Sequence, residues 1–153
     1  MSTAEIGLAE FFRRDHRSCD ALWGRVEEAA DARDREGTAR AWPRFEEALL
    51  RHLRREEEVL FPAFEERTGM RDAGPTFIMR SEHEQMRGVL RQMHEAVERG
   101  NAQELLDQGD TLLMLIQQHN QKEEHMLYPM AEQALGDLWP RLREQLTHDA
   151  SAP

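Results

Sequence analysis

The sequence is poorest in cysteine: Cys19 is the only one. No intrachain disulfide can form, so a buried core has to hold the fold, and a reducing compartment, the cytoplasm, is the expected home. Residues 1–7 show no basic run leading into an apolar one, which argues against a signal peptide. No window approaches the roughly 20 apolar residues of a membrane span, so no membrane partner is expected. Basic residues are in deficit, 20 against 30 acidic, giving a formal charge of −10. Such a chain repels a phosphate backbone, which excludes nucleic acid as a partner. Glycine and proline are few, nine and six among 153 residues, and they gather at a handful of points. That pattern suits long helices joined by few turns. No stretch alternates with period two for long enough to suggest a sheet.

What the chain does have is apolar residues at helical spacing. Ser2 and Glu5 stand at capping-box spacing, and Leu8, Phe11, Phe12, Cys19, Leu22, Val26 and Ala29 continue a first helix. The charged stretch 31–37 reads as a link. Phe45, Leu49, Leu53, Val59, Leu60 and Phe64 mark a second helix, with Pro43 in its first turn and Pro62 expected to kink or end it. A loop spans 68–75. Phe77, Met79, Met86, Leu90, Met93 and Val97 mark a third helix from about 76 to 99, stopped at Gly100-Asn101. Leu105, Leu112, Leu113, Ile116 and Leu127 mark a fourth, and a short fifth runs from 138 to 146. The expectation is an all-α, antiparallel up-down four-helix bundle with a short C-terminal fifth helix. It forms one domain over 1–147, with a disordered tail at 148–153.

An internal repeat carries the chemistry. His52-Leu-Arg-Arg-Glu56-Glu57 runs on to Leu60-Phe61-Pro62 and returns as His119-Asn-Gln-Lys-Glu123-Glu124, ending Leu127-Tyr128-Pro129. The offset is 119 − 52 = 67, and at the same offset His16 falls on His83. Each half is a helix pair with one His on its first helix and His-x-x-x-Glu on its second. Residues four apart share a helix face, so His52 and Glu56 reach one point, as do His119 and Glu123. These positions lie on the apolar stripes, where an ionised carboxylate is costly unless it is paired, hydrogen-bonded or bound to a metal. Imidazole with carboxylate suits iron, manganese or zinc. A closed structural zinc site takes four ligands at one point, whereas six in two symmetric halves suit two ions better.

The motifs resemble the signature of the hemerythrin-like (HHE cation-binding) family, over about His16 to Pro129. The resemblance implies a cofactor of two non-haem iron ions with a bridging oxo or hydroxo group. His16 and His52 would hold one iron and His83 and His119 the other, with Glu56 and Glu123 bridging. It implies a small-molecule partner such as oxygen, peroxide or nitric oxide, bound or reacted with in sensing or oxidative-stress defence. The alternative is a non-catalytic iron-sensing or iron-handling module. Oxygen-carrying members have a further His four residues after the position of His83, where this chain has Arg87. That departure points away from reversible oxygen carriage. Arg87 and its repeat mate Asp20 either pair across the bundle, reach solvent, or leave Asp20 as an added ligand.

Glu57, Glu82 and Glu124 read as solvent-facing or bonded to a His. His94 lies too far along its helix to join the site, His125 points off the His119 face, and His148 is in the tail. Tyr128 matches Phe61 in the other half, so its hydroxyl is not shared; it either packs or supplies a hydrogen bond near the site. Oligomeric state is not readable from the sequence.

Overall fold

The computed structural model describes residues 6–151, with side chains for 6–148. The described residues are helical, without strands. Helix α1 spans Leu8–Asp31. A second rod is built from α2 (Arg35–Arg55), a π turn (Glu56–Leu60) and α3 (Phe61–Thr68). Helix α4 (Pro75–Arg99) is the third rod. The fourth is α5 (Ala102–Lys122), a second π turn (Glu123–Leu127) and α6 (Tyr128–Leu135). Helix α7 (Trp139–Ser151) packs across one end, beside the first π turn. Helix α1 lies chiefly on α2, and α4 on α5, as the repeat requires. No described helix is long and apolar enough to cross a membrane.

Several boundaries differ from the sequence expectation. The helix expected from near Ser2 begins at Leu8 after an extended Gly7; Ser2 and Glu5 lie outside the described residues. The first link is only 32–34, because the Asp34 side chain accepts from the Gly37 amide and caps a helix starting at Arg35. Pro43 is therefore in the interior of α2 rather than in its first turn. Pro62 neither ends nor breaks its rod, since a π turn precedes it in place of an α turn. Phe77 faces solvent, 55% exposed. Helix α7 runs from Trp139 to Ser151, longer than the 138–146 expected. The stop after α4 agrees: Gly100 takes a left-handed φ of 68°, and Asn101 caps α5 through the Glu104 amide.

The core is layered along the rods. One apolar layer includes Trp23, Trp42, Phe45, Leu90, Met93 and Leu112. The other includes Phe12, Leu60, Phe61, Phe64, Met79 and Leu127. Between them lies a polar layer holding His16, His52, Glu56, His83, His119 and Glu123, none more than 4% exposed. Each fully buried large apolar side chain contributes about 1.5–3 kcal/mol. Two such layers can offset the desolvation of a polar one and keep bulk water out of it.

Candidate metal centre

The six residues singled out in the sequence converge. His16, His52, Glu56 and Glu123 each offer a ligand atom, all within 4.8 Å of one another. The same holds for Glu56, His83, His119 and Glu123, so the two groups share both carboxylates. His16 Nε2 stands 3.1 Å from His52 Nε2 and 3.1 Å from Glu123 Oε1. His83 Nε2 is 3.0 Å from Glu56 Oε1. His119 Nε2 and Glu123 Oε2 are 3.2 Å apart without hydrogen-bond alignment, and neither atom has a hydrogen-bond partner. Two atoms each about 2.1 Å from one ion, at right angles about it, stand about 3.0 Å apart. Buried nitrogen and oxygen donors crowded at this separation, two of them without any hydrogen-bond partner, fit a pair of metal ions.

Every imidazole is oriented from behind. Nδ1 of His16 contacts Glu124 at 2.7 Å, that of His52 contacts Asp15 at 2.9 Å, that of His83 contacts Glu57 at 2.7 Å, and that of His119 contacts Glu82 at 2.8 Å. A carboxylate accepts, so Nδ1 carries the proton and donates, and the Nε2 lone pair turns inward as a ligand requires. Three of these carboxylates are tied to a cation: Asp15 to Arg55 at 2.7 Å, Glu57 to Arg87 at 2.6 and 2.8 Å, and Glu82 to Lys122. Glu57, Glu82 and Glu124 thus take the His-bonded alternative. Asp15 is absent from the sequence expectation, though the signal exists. It precedes His16 as Glu82 precedes His83, at 82 − 15 = 67.

Arg87 and Asp20 do not pair across the bundle. Arg87 is drawn to Glu57, already an acceptor for His83, and to Glu84 at 2.9 Å. Asp20 is exposed and belongs to neither ligand group. Tyr128 does more than pack. Its buried hydroxyl donates toward Glu56 Oε2 at 2.6 Å, with Glu123 Oε1 at 2.9 Å and His16 Nε2 at 3.1 Å. Its mate Phe61 stacks on the His83 ring instead. His94 is engaged away from the centre, with Glu46, Glu98 and Trp42. His125 and His148 are exposed.

The electrostatics follow from burial and proximity. Burial works to lower the His16 pKa, but the bond and charge of Glu123, the charge of Glu56 and the bond to Glu124 outweigh it and hold it at about 8. Burial opposes His119 too, yet chiefly the charge of Glu123 pushes it up to about 11. Glu56 is raised by burial, but the His52 charge and its hydrogen bonds take it well below the usual carboxylate range. Burial, then the charges of Glu123 and Glu56, push the Tyr128 phenol well above 10, so it stays a proton donor. In a metal-free centre His16 and His119 carry positive charge beside the carboxylates.

The hemerythrin HHE cation-binding domain model matches residues 7–131. No curated protein and no solved structure matches the chain. The matched region covers the first three rods, most of the fourth and every residue of the polar layer, and the chain belongs to the hemerythrin HHE cation-binding domain family.

Proposed function

We propose that the chain holds two non-haem iron ions and binds or reacts with a small oxidant, in sensing or oxidative-stress defence. Oxygen, hydrogen peroxide and nitric oxide are the candidates. His16 and His52 serve one ion and His83 and His119 the other, with Glu56 and Glu123 shared. One observation carries this reading: two ligand groups, each with two inward-turned imidazoles, have the same two buried carboxylates in common. The donors are nitrogen and oxygen, which suits iron. When bound, such a pair can exchange two electrons with a small oxidant.

The protein's own groups have defined tasks. Asp15, Glu57, Glu82 and Glu124 fix the imidazole tautomers. Tyr128 holds the shared carboxylates in place and keeps a proton beside them. The apolar layers exclude water, which strengthens each of these interactions.

The test is elemental analysis of the purified protein with visible spectra in air, after azide and after peroxide. Two irons per chain, with charge-transfer bands that shift on azide, are expected. Rapid peroxide loss then marks turnover, and release of iron without turnover marks an iron-handling module. One zinc per chain and no visible bands would overturn the di-iron reading.

A further inference from the structure

The 67-residue offset relates the two halves of the centre, so two equivalent approaches from solvent are expected, one between α1 and α5 and one between α4 and α2. They are not equivalent. Between α1 and α5 lies an open groove of about 520 Å³ whose wall includes Trp23, Gln117 and Glu124. Beneath it is a cavity of about 10 Å³, near the size that admits one water, walled by His16, His52 and His119. Asp20, Ile116 and Asn120 line both spaces, so one layer of side chains separates the groove from the imidazoles.

At the mated approach the corresponding positions carry larger or bonded side chains, and two of them, Met86 and Leu53, wall this same cavity on that side. Cys19 is replaced by Met86 (86 − 19 = 67), buried at 1%. Asn120 is replaced by Leu53 (120 − 53 = 67), also buried at 1%. Asp20 is replaced by Arg87, whose guanidinium bonds both Glu57 and Glu84. The backing carboxylates repeat the asymmetry. Asp15–Arg55 and Glu82–Lys122 are mates, but Glu124, the mate of Glu57, meets Asp20 where Glu57 meets Arg87. Glu124 is accordingly the more open of that pair, 33% exposed against 20%.

We infer that small uncharged molecules reach the centre through one port, between α1 and α5 at Asp20 and Asn120, and that Arg87 closes its symmetry mate. This rests on the di-metal reading above and adds to it a side of entry and a charge preference. The rim carries Asp20 and Glu124, neither paired with an arginine or lysine among the described residues, so it disfavours anions. The cavity beneath, near the size of one water, favours molecules of two or three heavy atoms. Nitric oxide, oxygen and hydrogen peroxide pass on both counts, and azide is slowed at the rim.

The experiment is stopped-flow formation of the nitric oxide adduct with the reduced iron-loaded protein. Azide binding is followed in parallel on protein loaded with cobalt(II), whose visible absorption reports the ligand whether or not iron is the resident metal. Iron content of the wild type judges the di-iron reading separately. Asp20→Arg gives Glu124 the partner that Glu57 has and should slow adduct formation by an order of magnitude or more, with the final spectrum unchanged. Asn120→Leu, which alters no charge, should slow it in the same sense. Asp20→Asn should speed azide binding and leave nitric oxide unaffected. Wild-type rates in both Asp20→Arg and Asn120→Leu, or an azide rate indifferent to Asp20→Asn, would overturn the inference.

Discussion

Raising the pH from 6.5 to 8.5 should destabilise the metal-free protein. His16 is held at about 8 when folded and returns to about 6.5 when unfolded. A group whose pKa is raised by folding stabilises the fold fully below its unfolded pKa and loses that contribution as the pH climbs through the folded value. The shift of about 1.5 units, at about 1.36 kcal/mol each, makes the His16 contribution about 2 kcal/mol. Most of it disappears within this window. His16 is 4% exposed, so solvent screening takes little from the figure. His119, pushed up to about 11, declines through the same window and continues beyond it. The loss is a sizeable part of a domain's usual 5–15 kcal/mol. Urea titrations of chelator-treated protein at pH 6.5, 7.5 and 8.5 would read it as a falling midpoint at constant slope. With metal present the trend reverses, because ions and protons compete for the same Nε2 atoms and affinity rises with pH. A metal-free midpoint that is flat or rising over the window would refute the assignment of positive charge to these imidazoles.

Other perturbations reach different parts of the structure. Tyr128→Phe leaves Glu56 Oε2 without its donor and should cost about 1–3 kcal/mol in the metal-free protein, read by urea unfolding. Glu57→Gln removes the carboxylate charge that serves His83 and Arg87 and leaves a single acceptor oxygen between them. Metal affinity should fall about 10–100-fold in competition with a chromophoric chelator, with the helical circular dichroism unchanged. Gly109→Ala places a Cβ 2.4 Å from the Trp23 ring. Overpacking of about 1–3 kcal/mol should outweigh the gain of about 1 kcal/mol in helix propensity, and Trp23 fluorescence should shift.

The rods and the six convergent residues were legible because both depend on spacing within one helix. His52 and Glu56 share a face whatever else the chain does. The backing pairs were not legible in the same way, because each joins two rods. Asp15 on α1 meets His52 on α2, and Glu57 meets His83 on α4. Such pairing depends on how each rod is rotated about its axis. The offset could have exposed Asp15 as the mate of Glu82, but not the ring it meets. Phe77 misled because a helical period includes residues near the edge of the buried stripe, and at the first turn of α4 that edge is open to solvent. The link at 31–37 is shorter than its run of charges suggests, because Asp34 among them caps the next helix.

Pro62 misled for a reason that yields a final prediction. In an unbroken α-helix its ring would press on the carbonyl of Glu58 and one hydrogen bond would be lost. The chain forms a π turn instead, with the Phe61 amide bonding the Glu56 carbonyl five residues back, and it repeats this from Tyr128 to Glu123. A π turn absorbs one extra residue. Before it the inward stripe runs through Leu49, His52, Leu53 and Glu56. Continued at 3.6 residues per turn, that stripe would turn Ala63 inward, leave Phe64 at its edge and turn Phe61 outward. The structure has Phe64 buried and Ala63 half-buried, a register advanced by one. The wide turn thus keeps both the Glu56 carboxylate and the Phe61 and Phe64 rings facing the core. Glu58 is the exposed residue within it. Deleting Glu58 together with Pro62→Ala, so that no proline ring presses on the shortened turn, should remove the extra residue, let an ordinary α-helix carry the same inward stripe, and leave helical content and cooperative unfolding intact. What should change is the aim of Glu56, which loses its place at the mouth of a widened turn, so metal content should fall below two ions per chain. A deletion variant that folds and still binds two ions would show that the π turns accommodate the prolines and do nothing for the centre.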